Sequence, residues 1–158
     1  MTERQLVLLA TAGSFVLLAG AFGFQALGYA PCKLCLWQRW PHAAAILFGV
    51  LALTILPLRP AAVLGALAAL TTGAFGVYHT GVERGWWEGP ASCSSSGGGL
   101  SGLSAESLLP GSAAVDPVVM CDEVAWQVLG LSMASWNASA SFALAVIWFF
   151  AATARRPA

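Results

Sequence analysis

Apolar residues dominate four stretches of the chain, about 6–27, 36–56, 61–79 and 133–154, and almost no formal charge falls inside them. Each stretch is near the ~20 residues that a helix rising 1.5 Å per residue needs to cross ~30 Å of hydrocarbon. Lipid offers no partner to backbone N–H and C=O groups, so helices are the expected conformation. The pattern therefore predicts an all-α integral membrane protein. It forms a single membrane domain over 1–158, a four-transmembrane-helix bundle with a short loop at about 28–35 and a long one at about 80–132. Between the second and third runs lies only Pro57-Leu58-Arg59-Pro60, a tight turn. The long loop contains Ser94-Ser95-Ser96-Gly97-Gly98-Gly99, a composition that predicts flexibility.

Composition agrees with a lipid-solvated chain. Of 158 residues, 58% are hydrophobic and only 9% charged, against about 25% charged in soluble domains. The formal net charge is zero and no basic run occurs, which leaves nucleic-acid binding without electrostatic support. The first run follows Met1-Thr2-Glu3-Arg4, which is not net basic, and it exceeds the ~7–15 residues of a signal-peptide core. It is expected to be a retained helix.

Four crossings put the first and long loops on one side, and both termini with the tight turn on the other. Arg4, Arg59, Arg155 and Arg156 belong to the terminal side, Lys33, Arg39 and Arg84 to the loop side, a weak bias toward cytoplasmic termini. The cysteines say more. Cys32, Cys35, Cys93 and Cys121 all fall on the loop side, a segregation that suits an oxidising compartment. The expected placement has the cysteine loops outside the cytoplasm and both termini inside. Trp37, Trp40, Trp86, Trp87, Trp126 and Trp136 cluster near the loop-side interface, where amphipathic rings prefer to sit, and Trp148 lies toward the other side.

Cys32-Lys33-Leu34-Cys35 is a C-x-x-C at the mouth of the second helix. Two thiols at this spacing can cycle between dithiol and disulfide. A helix N-terminus and nearby cations favour the reactive thiolate, and Lys33 and Arg39 are the cations at hand. If the helix starts at the motif, Cys32, Cys35, Arg39 and His42 share one face. Pro41 argues for a later start, because it biases Trp40 away from helix. An inert disulfide or half of a zinc site, completed by Cys93 and Cys121, are the competing readings. Cys93 and Cys121 form a second pair that reads equally as a loop staple or as a redox pair exchanging with the first. Arg39 reads as an interfacial arginine or as the partner of a thiolate or a reduced quinone's oxygen. His79 is expected to end the third helix, either as a cap or as a quinone or proton partner. Gly13, Gly20, Gly65, Gly73 and Gly76 are expected to permit close helix packing. Asn137-Ala138-Ser139 matches a glycosylation sequon, which at the start of a transmembrane helix reads as chance.

Taken together, Phe24-Gln25, Pro31-Cys32-Lys33-Leu34-Cys35, Arg39, Tyr78-His79, Gly81-Val82-Glu83, the separated Cys93 and Cys121, and Trp126 with Leu129-Gly130-Leu131-Ser132-Met133 and Trp136 resemble the DsbB family of bacterial disulfide-bond formation proteins. The resemblance covers essentially the whole chain. It implies a membrane thiol oxidase that re-oxidises a DsbA-like periplasmic dithiol protein and passes the electrons to ubiquinone or menaquinone. It further implies that Cys93 forms the mixed disulfide with that partner, that Cys121 exchanges with Cys32, and that Cys35 is the thiolate facing the quinone. Arg39 would stand beside Cys35, and His79 near the quinone ring. The chain departs from the pattern at Gln38, where well-known members carry an acid, and in the Ser/Gly richness of its long loop. Three rivals predict different chemistry. A vitamin K epoxide reductase-like protein also couples four cysteines to a quinone, but carries its C-x-x-C late rather than after helix one. A non-catalytic membrane protein stapled by two disulfides would resist mild reductant. A metal-binding membrane protein would hold zinc without turnover.

Overall fold

The computed structural model describes residues 1–90 and 119–154. Cys93 and the Ser/Gly tract at 94–99 lie outside the described residues. Four helices carry the fold: α1 (Glu3–Ala26), α2 (Lys33–Thr54), α3 (Leu58–Glu83) and α4 (Met133–Thr153). They alternate in direction, so the expected four-helix membrane bundle is the architecture found. At 1.5 Å per residue, even the shortest helix is about 30 Å long. Helices α1, α3 and α4 are long and apolar enough to cross a membrane. Helix α2 is less apolar because its first turns carry Lys33, Gln38, Arg39 and His42.

Four helix ends lie three or four residues outside the sequence expectation, among them the start of α3 at Leu58, within the expected tight turn. Helix α1 begins at Glu3, because Thr2 and Gln5 form a reciprocal capping box. Helix α2 begins at Lys33 and runs through Pro41 without a break. The Cys32 side chain caps it, and Thr72 of α3 donates to the Gln38 carbonyl at 3.0 Å in the turn that Pro41 disturbs. A neighbouring hydroxyl is a usual remedy for a proline in a membrane helix. Helix α3 continues one turn past His79 to Glu83, so His79 is not its terminal residue.

The outer faces of the bundle are apolar. Phe15, Val16 and Phe149 are 60%, 66% and 60% exposed, as expected of side chains solvated by lipid. The inner faces hold small residues instead. Along α3 the buried positions include Ala61, Ala62, Gly65, Ala68, Ala69, Gly73 and Gly76. A Cβ added at Gly76 would stand 2.9 Å from the Ala138 Cβ of α4, and one at Gly65 would stand 2.7 Å from the Trp148 ring. Small residues let the backbones approach where no hydrophobic force drives association. Gly13 and Gly73 meet α4 side chains likewise, but nothing lies within 4 Å of a Cβ at Gly20. That glycine faces a cavity rather than a helix. Trp148 is wholly buried in this core and is no interfacial ring.

On the loop side, a two-stranded hairpin leads into α4: β1 (Gln127–Val128) pairs antiparallel with β2 (Leu131–Ser132). Leu129 and Gly130 both have positive φ, 53° and 75°, the backbone of a tight two-residue hairpin turn. The hairpin delivers Ser132 to the N-cap of α4, where its hydroxyl accepts the Ser135 N–H. At the opposite end, Arg4 donates to the Leu53 carbonyl and Arg59 to the Ala154 carbonyl. These arginines satisfy carbonyls that the ends of α2 and α4 leave open.

Candidate active site

Cys32 is the N-cap of α2, and its sulfur accepts the Cys35 backbone N–H at 3.3 Å. One helical turn brings the Cys35 sulfur to 2.9 Å from it. That exceeds the ~2.05 Å of a covalent S–S bond, and both residues are free thiols. The His79 Nε2 stands 3.5 Å from the Cys32 sulfur. Cys32 is thus surrounded by donors. The Cys35 thiol, followed by the His79 ring and the Cys35 backbone N–H, outweighs burial and pushes the Cys32 thiol down to about 4. The shared hydrogen belongs on Cys35, because Cys32 already accepts a backbone N–H and faces the imidazole. That lowering makes Cys32 an acidic thiol in this dithiol state.

Four hydrogen bonds, three of them between helices, fix the direction of the polar groups behind the pair. The Gln38 side-chain amide donates to the Leu34 carbonyl at 3.1 Å and lies 2.9 Å from His79 Nδ1. A carbonyl can only accept, so the amide nitrogen is on that side, and its second hydrogen points at His79 Nδ1. His79 then carries its proton on Nε2, toward Cys32. The Asn137 amide nitrogen donates to the Gln38 Oε1 at 2.7 Å, and the Asn137 Oδ1 is 2.9 Å from His42 Nε2. A second polar cluster adjoins the first. Glu83 Oε1 is 3.8 Å from His79 Nε2, and the Ser132 hydroxyl donates to Glu83 Oε2.

Beside the thiols lies a cavity of about 260 Å³, bounded by α1, α2, α4 and the segment around Tyr29. Its walls are almost entirely apolar, with Cys35, Gln38, Arg39, His42, His79 and Asn137 as the polar exceptions. Arg39 donates to the Gln25 Oε1 at 2.7 Å and to the Ala21 carbonyl at 3.3 Å, and lies over the Phe22 ring. Its Nε has no partner among the described residues.

The third cysteine in the described residues, Cys121, is disulfide-bonded and wholly buried. It shares one buried cluster with Cys32, Leu34 and Val82, against which Cys35, Tyr78 and Val119 pack. The structure therefore brings Cys32, Cys35, Cys121, Arg39 and His79 to one end of the bundle. The ligand atoms of Cys32, Cys35 and His79 lie within 4.8 Å of one another, close enough to hold a soft cation. Cys121, which the zinc reading would also use, is engaged in its disulfide.

A family model, Disulfide bond formation protein DsbB, matches residues 3–151. The chain belongs to the DsbB family. That family is one of disulfide bond formation proteins. Disulfide bond formation protein B 2 of Pseudomonas aeruginosa is 31% identical over 114 residues, 70% of this chain and 66% of its own length. Disulfide bond formation protein B 1 of a second Pseudomonas aeruginosa strain matches equally. An uncharacterized protein of Rickettsia prowazekii is 32% identical over 110 residues, 69% of this chain and 63% of its own. The chain thus spans just under two thirds of these relatives' lengths. No solved structure matches it.

The DsbB resemblance acquires physical content here. Gln25 is the acceptor that holds Arg39 against α1. Phe24 packs on Trp126 with ring centres 5.2 Å apart, closing the cavity on the loop side. Glu83 and Ser132 meet each other, so the Gly81-Val82-Glu83 and Leu131-Ser132 segments are two halves of one contact. Sequence reasoning missed Thr72 and Asn137 and left Gln38 without a role. The signal for Asn137 was present: a carboxamide early in an apolar helix needs a partner, and His42 on α2 had none assigned.

Proposed function

We propose that this DsbB family member oxidises a DsbA-like periplasmic dithiol protein and passes the electrons to a membrane quinone. The site lies at the periplasmic face of a bacterial inner membrane. One observation carries the proposal: the free Cys32–Cys35 thiols stand at an apolar cavity, which Cys35 lines, beside a buried disulfide cysteine.

The cavity suits a quinone ring. Its walls are apolar, and Arg39 Nε–H has no partner and can donate to a quinone oxygen. Ubiquinone or menaquinone would be held by Arg39, with Cys35 and His79 lining the same space, and when bound it supplies a two-electron oxidant soluble in lipid. The chain's residues do the rest. Cys93 accepts attack by the partner's thiolate, Cys121 exchanges with Cys32, and Cys35 closes on Cys32. Closure from the described state releases two electrons and one proton, because Cys32 has already lost its own. Quinone reduction consumes two of each, so one further proton comes from water or the polar cluster. A DsbA-like pair lies near −120 mV, so the terminal acceptor has to be a stronger oxidant than that.

The test is quinone reduction by the purified protein with a reduced DsbA-type partner, alongside a Cys→Ala variant of each cysteine. Turnover that needs all four cysteines is expected. No turnover, with thiols that do not respond to quinone, would move the chain to the disulfide-stapled reading.

A further inference from the structure

We infer that His42 provides the second polar contact of the cavity, an acceptor for the hydroxyl of a reduced quinone. Asn137 and Gln38 hold it in that form. This rests on the quinone reading above and extends it to a residue on the far side of Arg39.

The Leu34 carbonyl orients the Gln38 amide, so Gln38 Oε1 faces Asn137. The Asn137 nitrogen must donate to it, and a second contact, to the Thr72 hydroxyl at 3.3 Å, fits the same orientation. Thr72 spends its own hydrogen on the Gln38 carbonyl, so it can only accept. Asn137 Oδ1 is left facing His42 Nε2 at 2.9 Å, and that nitrogen must carry the proton. The other ring nitrogen, Nδ1, is then a bare lone pair. His42 is 3% exposed, and Nδ1 has no partner among the described residues. A buried acceptor left unpaired is costly, and this ring lines the cavity.

Arg39 and His42 are three residues apart on α2 and so neighbours on one face. One offers an unused donor, Nε–H, and the other an unused acceptor. The two oxygens of a para-quinone lie at opposite ends of its ring. In the oxidised form both are carbonyls, and a carbonyl against Nδ1 sets lone pair against lone pair. In the reduced form a hydroxyl there donates to Nδ1. The neutral ring therefore discriminates by oxidation state and favours the reduced ligand, whereas Arg39 serves both.

The experiment is a binding titration, not a turnover assay. A short-chain ubiquinone and its hydroquinone are titrated anaerobically into the full chain in detergent, read by tryptophan quenching, since Trp126 and Trp136 line the cavity. All proteins carry Cys35→Ala, so no Cys32–Cys35 disulfide forms and no electron pair passes. Adding His42→Leu is expected to weaken hydroquinone binding about tenfold, the scale of one hydrogen bond, and to leave quinone binding within about threefold. His42→Gln keeps a donor for Asn137 and an acceptor for the cavity, and is expected to retain the preference for hydroquinone. Equal loss of both forms in His42→Leu, or no loss, overturns the inference. So does loss of the preference in His42→Gln, which decides the matter if the leucine variant does not fold. A parent protein that binds neither form overturns the quinone reading itself.

Discussion

A dithiol that keeps one proton and has lost the other behaves differently from an ordinary one when its potential is followed with pH. Cys32 is pushed from its ordinary 9.0 to about 4, first by the Cys35 thiol and then by His79. Above about pH 4, reduction of the Cys32–Cys35 disulfide therefore takes up two electrons and one proton. Its midpoint should fall by ~30 mV per pH unit, against ~59 mV for a couple that takes up two protons. His79→Phe removes the donor 3.5 Å from the Cys32 sulfur. A hydrogen bond to a charged group contributes roughly 1.5–3 kcal/mol, or ~1–2 pKa units at 1.36 kcal/mol each. The break in slope should move to about pH 5–6 and no further, because the larger contribution, from Cys35, survives. The assay is equilibration with thiol–disulfide buffers in detergent, followed by alkylation of Cys32 and Cys35 and mass analysis. A slope near 59 mV between about pH 5 and pH 8 in the unaltered protein would refute the reasoning, since it requires both thiols to be protonated. The same depression has a stability consequence. The thiolate's contribution to the reduced fold is complete above pH 9 and is lost as pH falls through about 4. Oxidation of the pair abolishes that dependence.

Three further outcomes are expected. Arg39→Ala should lower quinone turnover tenfold or more, on the ~1.5–3 kcal/mol scale of charged hydrogen bonds, while changing thiol exchange with the soluble partner less than about threefold; equal loss of both steps would remove Arg39 from the quinone side. Cys121→Ala should trap a mixed disulfide between the partner and Cys93, seen on non-reducing gels, and a trap through Cys32 would overturn the order of the relay. Gly76→Val should destabilise the bundle by about 1–3 kcal/mol, because its Cβ would meet the α4 backbone at Ala138; an unchanged thermal midpoint in detergent would show that α3 and α4 do not pack this closely.

The bundle was legible because lipid imposes a simple rule: about 20 apolar residues per crossing. The C-x-x-C was legible because its chemistry is local and its spacing short. What sequence could not give is set between helices. The start of α2 at Lys33 depends on a cysteine acting as a cap and a threonine of α3 attending to the proline turn. The role of His79 depends on Gln38, 41 positions away in sequence. Gly20 looked like the other glycines, and only the helix crossings distinguish a packing site from a cavity wall. The Asn137 sequon, dismissed as chance for glycosylation, marks a residue that ties α2 to α4 through two hydrogen bonds.

Gln38 is the residue in which these threads meet, and its departure from the acid of well-known family members follows from what its neighbours need. It must donate twice, to the Leu34 carbonyl and to His79 Nδ1, and accept once, from Asn137. An ionised acid only accepts, and a protonated one donates once, so neither can replace the amide in this setting. A carboxamide also does not titrate. With Gln38 in place, the neutral His79 ring directs its proton at Cys32, and the neutral His42 ring keeps its Nδ1 lone pair unshared beside the cavity. The amide pair Gln38–Asn137 thus converts one backbone carbonyl, that of Leu34, into a fixed donor at the thiols and a fixed acceptor at the far end of the cavity. Burying so many polar groups is tolerable only when each has its partner; among the buried polar atoms left without one in the described residues, Arg39 Nε and His42 Nδ1 are those whose side chains line the cavity, and they are the two that a bound quinone would satisfy.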